Sequence, residues 1–350
     1  MNLKEIVQFL AQSQRVAGHD RDRELISFFK DYFVKNKREV KEDNHFFRAW
    51  DIIKNPILEI DNEKVKVQPV AWTGSTNGFL EGFLEKTTPI KTFEAYEFER
   101  FFLKNNQGKK IAFFISRPDQ VWLQPVNQPL EDLPGAMFEP EVYKKVINKI
   151  KTNQKVKASF KMQTKFFDSQ ITNLISPAKK TPKIIIAAHY DSVNSSPGAN
   201  DNATGVASVL KIMEKFSEHK NIEFILFAAE EWNKFGSYCF VNNLKKEEIS
   251  QIKYFLNFDM TGSKNGKIYC LGDKKFTSIL QKIVGKENFS SRQPIPFDAW
   301  PFCKKKVPVI QFGSSAKNLK IHSPEDSIEK VDFSLVEKGI DFAIKTLEKI

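Results

Sequence analysis

The sequence of 350 residues predicts an α/β protein, in which helices cover both faces of a mostly parallel mixed sheet and a β-rich subdomain is inserted. Three observations support this fold class. Short, continuously apolar runs alternate with segments of helical periodicity, as in sheets that are covered on both faces. Polar and acidic residues follow the ends of these runs. Residues 45–134 instead contain short β-like runs that are interrupted by Pro and Gly.

The amino-terminal part, residues 1–44, predicts two amphipathic helices within residues 3–36, joined by a turn at Arg15–Gly18. In the inserted subdomain, residues 45–134, the β-like runs are Val65–Val70, Gly78–Leu84 and Lys110–Ser116.

The main domain resumes at residue 135. Pro140 opens a helix that we expect to continue to Lys151, because Pro is favoured in the first turn. Strict alternation in Lys155–Gln163 predicts an antiparallel or edge strand, and Ile171–Ser176 is its expected partner.

A central strand is predicted by the apolar run Ile184–Ala188, which stops at His189 and Asp191. The stripe of apolar residues in Ala203–Phe216 predicts the helix that follows it. Three further strands and a closing helix complete a βαβ pattern: Ile222–Ala229, Tyr254–Phe258, Val307–Phe312 and the helix Leu335–Leu347. Ligands bind at the carboxyl ends of parallel strands in open α/β sheets, so we expect the functional site at that edge.

The side chains that follow these strands have the composition of a metal site. Two imidazoles and several carboxylates are found there: His189, Asp191, Asp201, Glu230, Glu231, Asp259 and His322. Such ligands without thiolates suit Zn²⁺ and related divalent ions such as Co²⁺ or Mn²⁺, and the excess of carboxylates indicates two ions. Ordinary roles are open as well, since Asp201 could cap a helix and Glu230–Glu231 could form a solvated turn.

Five motifs contain these residues: His189-Tyr-Asp191, Gly198-Ala-Asn-Asp201-Asn-Ala-Thr-Gly205, Ala229-Glu230-Glu231-Trp232 with Phe235-Gly236-Ser237, Asn257-Phe-Asp259-Met260, and His322-Ser-Pro-Glu-Asp326. In order and spacing they resemble the co-catalytic zinc aminopeptidases, which include bacterial leucyl aminopeptidases and, more distantly, glutamate carboxypeptidase II. The resemblance covers nearly all of residues 1–40 and 135–350. It implies the zinc exopeptidase fold, with residues 135–350 as a di-metal peptidase domain. The insert resembles the protease-associated β subdomain.

The resemblance also implies a role for each site residue. Asp201 would bridge two zinc ions, with His189 and Asp259 completing one site and Glu231 and His322 the other. Asp191 would not bind metal but would accept a hydrogen bond from the far nitrogen of His189. Glu230 would be the general base for a hydroxide that bridges the ions.

The substrate pocket departs from the family pattern. Family members commonly have Ser-Asp before the last strand, whereas this chain has Phe297-Asp298. Asp298 is retained, and Phe297, Trp300 and Phe302 either line an apolar specificity pocket or belong to the core.

The expected activity is that of an aminopeptidase, an exopeptidase that releases residues from peptides with a free amino terminus. A carboxypeptidase or dipeptidase on the same scaffold is the alternative and needs a cationic pocket, for which Arg292 is the only arginine near the predicted site loops. Glutaminyl cyclase, a relative with one zinc ion, fits the two-metal motifs less well. A catalytically inactive binding protein is disfavoured, because all five ligand positions and the base are filled.

Composition adds further expectations. The formal charge of +11 comes from scattered lysines without a recognition helix or stacking motif, so we expect no nucleic-acid partner. Three separated cysteines suggest neither a disulfide framework nor a thiolate metal site. We see no signal peptide and no apolar stretch long enough to span a bilayer, which predicts a cytoplasmic protein without a membrane partner. Whether the chain forms a homo-oligomer is left open.

Overall fold

A computed structural model describes residues 1–92, 96–123, 132–317 and 319–350. The chain forms two compact units. The larger unit comprises Met1–Phe47 and Ser169–Ile350, and the smaller one comprises Arg48–Asp168.

The described residues contain helices and strands in the following positions. The helices are α1 (Leu3–Leu10), α2 (Arg21–Lys35), α3 (Pro140–Lys151), α4 (Thr204–Lys215), α5 (Phe235–Asn243), α6 (Lys246–Ser250), α7 (Thr277–Val284), α8 (Ala299–Lys304) and α9 (Phe333–Leu347). The strands are β1 (Lys41–Ile60), β2 (Glu63–Val65), β3 (Val67–Pro69), β4 (Leu80–Thr92), β5 (Tyr96–Lys104), β6 (Lys110–Ser116), β7 (Gly135–Phe138), β8 (Lys157–Ser176), β9 (Lys183–His189), β10 (Ile222–Phe227), β11 (Ile252–Phe258), β12 (Lys267–Gly272), β13 (Phe289–Ser290) and β14 (Val309–Ser315).

The sheet of the larger unit has a parallel centre and antiparallel flanks. Its strand order is β13-β12-β14-β11-β9-β10-β8. Strands β14, β11, β9 and β10 are mutually parallel. On the two sides, β12 runs antiparallel to β14 and the end of β8 runs antiparallel to β10. The predicted fold class is confirmed: the sheet is mixed but mostly parallel at its centre.

Helices bury both faces of this sheet. On one face, β9, β10 and β11 share a core with α5 and α8, in which Phe302 stacks on Phe255 with ring centroids 3.8 Å apart. On the other face, α4 packs against β9, β10 and β11 and also contacts α1 and α9. Every residue of β10 is buried, and all except Glu223, which pairs with Lys183, are apolar, so the strand does not alternate between apolar and polar residues.

Local sequence signals fix several helix ends. Asn2 and Glu5 form a reciprocal capping box at the start of α1. Asp332 caps α9 by accepting from the backbone amides of Ser334 and Leu335.

The smaller unit has its own core. Its strand order is β8-β4-β5-β6-β7-β3, and all neighbours are antiparallel except β6 and β7. Phe114 lies at the centre of this core, stacked on Phe138 at 4.7 Å and in edge contact with Phe160 at 5.0 Å between ring centroids.

Two details differ from the sequence-based expectations. Ile171–Ser176 does not pair with Lys155–Gln163, because both segments belong to the single strand β8, which contains no Gly or Pro to interrupt it. The compact inserted unit also extends to Asp168 rather than ending at residue 134. The reason is that α3 and the first half of β8 contribute to the same core as β6 and β7.

Within the described residues, none of the helices combines the length and apolar character needed to cross a membrane.

Phe302 is a core residue, and this position generates a stability prediction. We expect Phe302→Ala to lower the free energy of unfolding by about 3–5 kcal/mol, because it opens a cavity between Phe227, Phe240 and Phe255. Phe46, which is 68% exposed, provides the control, since Phe46→Ala leaves no cavity. Urea unfolding measures both values. Equal stabilities for the two variants would contradict the assignment of Phe302 to the core.

Candidate active site

The parallel centre of the sheet brings the candidate residues to one edge. His189 is the last residue of β9, and Asp259 directly follows β11. Glu230 and Glu231 follow β10 after two alanines, and His322 lies on the segment after β14. Because neighbouring parallel strands end at the same edge, residues far apart in sequence become neighbours there.

The first group of donors consists of His189, Asp201 and Asp259, all of which are buried. Nε2 of His189 lies 3.4 Å from Oδ1 of Asp201 and 3.5 Å from Oδ2 of Asp259. These separations are longer than an ordinary hydrogen bond between nitrogen and oxygen.

The second group consists of Asp201, Glu231 and His322. Nε2 of His322 lies 3.3 Å from Oδ2 of Asp201 and 3.0 Å from Oε2 of Glu231. Asp201 therefore belongs to both groups, with one carboxylate oxygen facing each.

These separations fit donors arranged around cations. Nitrogen and oxygen ligands lie about 2.0–2.1 Å from Zn²⁺, so a tetrahedral angle places two ligand atoms about 3.3 Å apart. The four separations between these donor atoms lie between 3.0 and 3.5 Å. Nε2 of His189, Oε1 of Glu231 and Oδ1 of Asp259 are also buried without a hydrogen bond. Such atoms are costly to bury unless something binds them, so the donor set fits metal ions.

Asp191 connects the first group to the glutamates. One of its oxygens lies 3.4 Å from Nδ1 of His189 and accepts from the backbone amide of Glu230 at 2.9 Å. The other oxygen accepts from the amide of Glu231 at 3.2 Å. A single fully buried carboxylate thus orients the imidazole and the turn that carries both glutamates.

Asn202 and Asp326 hold the segment around Asp201, and the sequence analysis assigned no role to either side chain. The amide oxygen of Asn202 accepts from the backbone of Gly205 and Met260, and its nitrogen donates to Phe258, the last residue of β11. The carboxylate of Asp326 accepts from the amides of Asn200 and Asp201 at 2.8 and 3.0 Å. Asp326 lies in the motif that contains His322, but nothing in that motif indicates that its partner is 125 residues away.

The strand ends turn sharply to present these side chains. Ala229, Met260 and His322 have left-handed φ values of 55°, 52° and 51°. Non-glycine residues in this region cost on the order of 1–3 kcal/mol each, and such strain is concentrated at functional sites.

Burial and close packing shift the ionisation of this cluster. Burial raises the pKa of Glu231 to about 7 and that of Asp259 to about 6, although the neighbouring histidines oppose the shift. Burial also opposes ionisation of Asp201, but His189 and His322 outweigh it and lower its pKa. Burial acts to lower the pKa of each imidazole, yet the facing carboxylates raise it well above the ordinary value. In the absence of metal, the cluster therefore retains protons that a bound cation would displace.

Glu230 lies beside the cluster without belonging to either donor group. Burial raises its pKa well above the ordinary value, while the charge of His189 opposes the shift and that of Asp298 adds to it. This shift makes the carboxylate of Glu230 a stronger base than an exposed glutamate.

The three predicted substrate-binding residues differ in how deeply they are buried. Asp298 is fully buried and interacts electrostatically with His189. Phe297 is buried with its ring centroid 6.5 Å from that of Tyr269, and Trp300 is only partly buried.

Together, the fold and the site define an α/β protein whose sheet edge carries two adjoining imidazole and carboxylate donor groups that share one aspartate. The chain belongs to peptidase family M28, whose family model matches residues 171–346. The family resemblance inferred from the motifs is therefore confirmed.

Individual relatives agree with this family. Aminopeptidase YwaD of Bacillus subtilis (strain 168) is 29% identical over 218 residues, which cover 54% of this chain and 46% of that protein. Aminopeptidase Y of Saccharomyces cerevisiae is 35% identical over 153 residues, 39% of this chain and 28% of that protein. The match thus spans less than half the length of these two relatives.

Solved structures show the same fold. A Peptidase M28 precursor from Shewanella amazonensis SB2B has a TM-score of 0.77 at 15% identity, covering 98% of this chain and 91% of that chain. BSAP, a zinc aminopeptidase from Bacillus subtilis, has a TM-score of 0.74 at 19% identity, covering 99% and 94%.

The buried carboxyl group of Asp298 generates a prediction about pH. Burial raises its pKa to about 7, so the folded protein keeps this proton between about pH 4 and 7 while the unfolded chain releases it. This contribution to stability is complete at low pH and is lost as the pH rises through 7. Relative to wild type, Asp298→Asn should therefore gain about 2 kcal/mol or more of unfolding free energy between pH 4 and 7.

Urea unfolding of the ion-free protein, with chelator present at each pH, measures this gain. The exposed Asp341 provides the control, because Asp341→Asn removes a carboxylate that is not buried. If the two variants showed the same pH dependence, the buried state of Asp298 would be contradicted.

Proposed function

We propose that this protein is a metal-dependent exopeptidase, specifically an aminopeptidase that uses two zinc ions. In this proposal Asp201 would be shared by the two ions, His189 and Asp259 would complete one site, and Glu231 and His322 would complete the other. Glu230 is the general base, and Asp191 orients His189.

One observation carries the proposal: the two donor groups share Asp201, and its two oxygens face different groups. An isolated buried acid pair could be structural. A shared carboxylate flanked by two imidazoles and two further carboxylates is instead the arrangement expected for a pair of divalent ions.

The protein groups then have defined tasks. When bound, divalent ions lower the pKa of a water molecule and polarise the carbonyl of the scissile peptide bond. The carboxylate of Glu230 accepts the proton of the attacking water and later delivers it to the leaving amine. Asp191 supports this step because its carboxylate fixes the backbone amide of Glu230.

Specificity for the amino terminus is supported by the charge of the site. Glu230 lies outside both donor groups, so its negative charge is not assigned to an ion and favours the free α-ammonium group of a peptide over its carboxylate. Arg292, which could have served a carboxypeptidase, is exposed. The relatives named aminopeptidase Y and aminopeptidase YwaD support the same choice.

Other predicted properties accompany this proposal. Zinc is supported by BSAP, a zinc aminopeptidase of similar fold, with Co²⁺ or Mn²⁺ as alternative ions. The cytoplasmic location and the protease-associated type of the inserted unit stay predictions.

A panel of chromogenic substrates tests the proposed activity. We expect aminoacyl substrates with a free α-amine to be hydrolysed, amino-blocked analogues to be resistant, and chelation to abolish turnover until Zn²⁺ is restored. Hydrolysis confined to carboxyl-terminal substrates would favour the carboxypeptidase alternative and overturn the aminopeptidase assignment.

Glu230→Gln separates the base from the ligands. Because Gln cannot accept the proton, we expect kcat to fall by about 10²–10⁴-fold while the metal content stays at the wild-type level. Steady-state kinetics and elemental analysis of the same preparation measure both quantities. Full loss of metal from this variant would show that Glu230 is a ligand rather than the base.

In contrast to Glu230→Gln, we expect Asp201→Asn to lose metal affinity. The variant removes the negative charge that both donor groups share. Loss of a residue that only supports a ligand typically lowers metal affinity by about 10–100-fold, and we expect a larger loss here. Competition with a chromophoric chelator measures the affinity. Retention of both ions at wild-type affinity would remove Asp201 from the bridging position.

A further inference from the structure

Arg15 is a fully buried arginine whose guanidinium donates to backbone carbonyls. Nε donates to Tyr190 at 2.7 Å, and Nη2 donates to Gly198 at 2.9 Å. Nη1 donates to Leu10 at 2.9 Å and to Pro197 at 2.7 Å. One side chain thus holds four carbonyl oxygens that come from three places along the chain.

Three of these carbonyls belong to the segment that separates His189 from Asp201. Tyr190 directly follows the imidazole, and Gly198 lies three residues before the shared aspartate. We refer to residues 190–198 as the ligand-connecting segment. Its two ends are therefore bound to the same planar group.

The backbone of Arg15 reinforces this contact. Its amide donates to the hydroxyl of Ser192 at 3.0 Å, and its carbonyl accepts from the amide of Ser192 at 3.0 Å. The adjacent Gln14 accepts from the amide of Ser195 at 2.6 Å. The turn at Arg15–Gly18 therefore contacts the middle of the ligand-connecting segment as well as its ends.

Gly198 shows how tightly this segment packs on the guanidinium. It has a left-handed φ of 61°, and a Cβ atom there would lie 2.5 Å from the carbonyl oxygen of Asp201, 2.6 Å from Cβ of Ser192 and 2.8 Å from Nη2 of Arg15. A larger residue at this position would therefore displace the backbone as well as the guanidinium.

The positive charge of Arg15 interacts favourably with the acidic side chains around it. Burial lowers its pKa to about 10, with the acids Asp326, Asp191, Asp201 and Glu231 opposing that shift. The guanidinium therefore stays protonated at neutral pH and offsets part of the negative charge around the donor groups.

We propose that Arg15 is a positioning residue for the metal site, because it fixes the ligand-connecting segment and thereby the spacing between His189 and Asp201. This proposal rests on the proposed metal-dependent function. Arg15 lies outside residues 171–346, the part matched by the family model, and so adds an element from the amino-terminal turn to the site.

Only a guanidinium can perform this task as described. Its five N–H donors are held in one plane and point in fixed directions, whereas the ammonium of lysine has three donors at a single point. Lysine preserves the charge but cannot reach carbonyls on three sides at once. Arg15→Lys therefore separates geometry from charge.

Arg38 provides a matched control within the same unit. It is also buried and donates to backbone carbonyls, including Ser217, His219 and Ile222. Its partners lie around the start of β10, at the opposite end of that strand from Glu230. Replacing Arg38 should weaken the fold without changing the spacing of the ligands.

The test compares Arg15→Lys and Arg15→Ala with Arg38→Lys and Arg38→Ala. The affinity for Zn²⁺ is measured by competition with a chromophoric chelator, and urea unfolding of the ion-free proteins measures stability separately. We expect both Arg15 variants to bind Zn²⁺ at least about 10-fold more weakly than wild type, as for other residues that support ligands. The Arg38 variants should lose stability but bind Zn²⁺ like wild type.

Millimolar guanidinium offers a rescue experiment for Arg15→Ala, since the vacated space can admit the free cation. We expect Zn²⁺ affinity to recover in Arg15→Ala but not to change in Arg38→Ala. If Arg15→Lys bound Zn²⁺ like wild type, or if the Arg38 variants lost the same affinity, the positioning role would be refuted. Failure of the wild type itself to bind Zn²⁺ would instead refute the proposed function.

Discussion

The shared position of Asp201 is the constraint on which the rest of the site depends. Its two carboxylate oxygens face different donor groups, so a small rotation would separate one group from it. Hydrogen bonds from neighbouring side chains restrict that rotation. The carboxylate of Asp326 accepts a hydrogen bond from the backbone amide of Asp201. The side chain of Asn202, the next residue, donates to the carbonyl of Phe258 at the end of β11, directly before Asp259. The geometry of the donors is therefore largely a property of the backbone.

Acidic side chains are concentrated at this edge, and backbone amides and the guanidinium of Arg15 offset part of their charge. Asp191 and Asp326 each accept hydrogen bonds from two backbone amides, and for Asp326 these bonds favour the charged form. Burial nevertheless dominates for Asp326, because it raises the pKa to about 7. These interactions do not fully offset the cost of burying so many carboxylates. Further positive charge would stabilise them, which agrees with a site that binds divalent ions.

The sequence predicted those parts of the structure that depend on local pattern. Continuous apolar runs located the strands, and the residues that follow them located the donors, because parallel strands end at one edge. Contacts between distant segments could not be predicted in this way. The motif around His322 gave no indication that Asp326 supports Asp201, and Arg15 was interpreted only as part of a turn. The extent of the inserted unit was misjudged for a related reason, since the packing of α3 against β6 and β7 is not visible in its own periodicity.

The separation of Arg15 from Ser192 by 177 positions also bears on how the protein matures. During synthesis the amino-terminal turn leaves the ribosome long before its partners exist, so it has nothing to dock against for most of translation. The donor that arrives last, His322, completes the cluster only after strands β9, β10, β11 and β14 have been made. Under the proposed metal-binding role, ion uptake would be coupled to the closure of very long loops, and a nascent chain would acquire its metal only after most of the larger unit has been made.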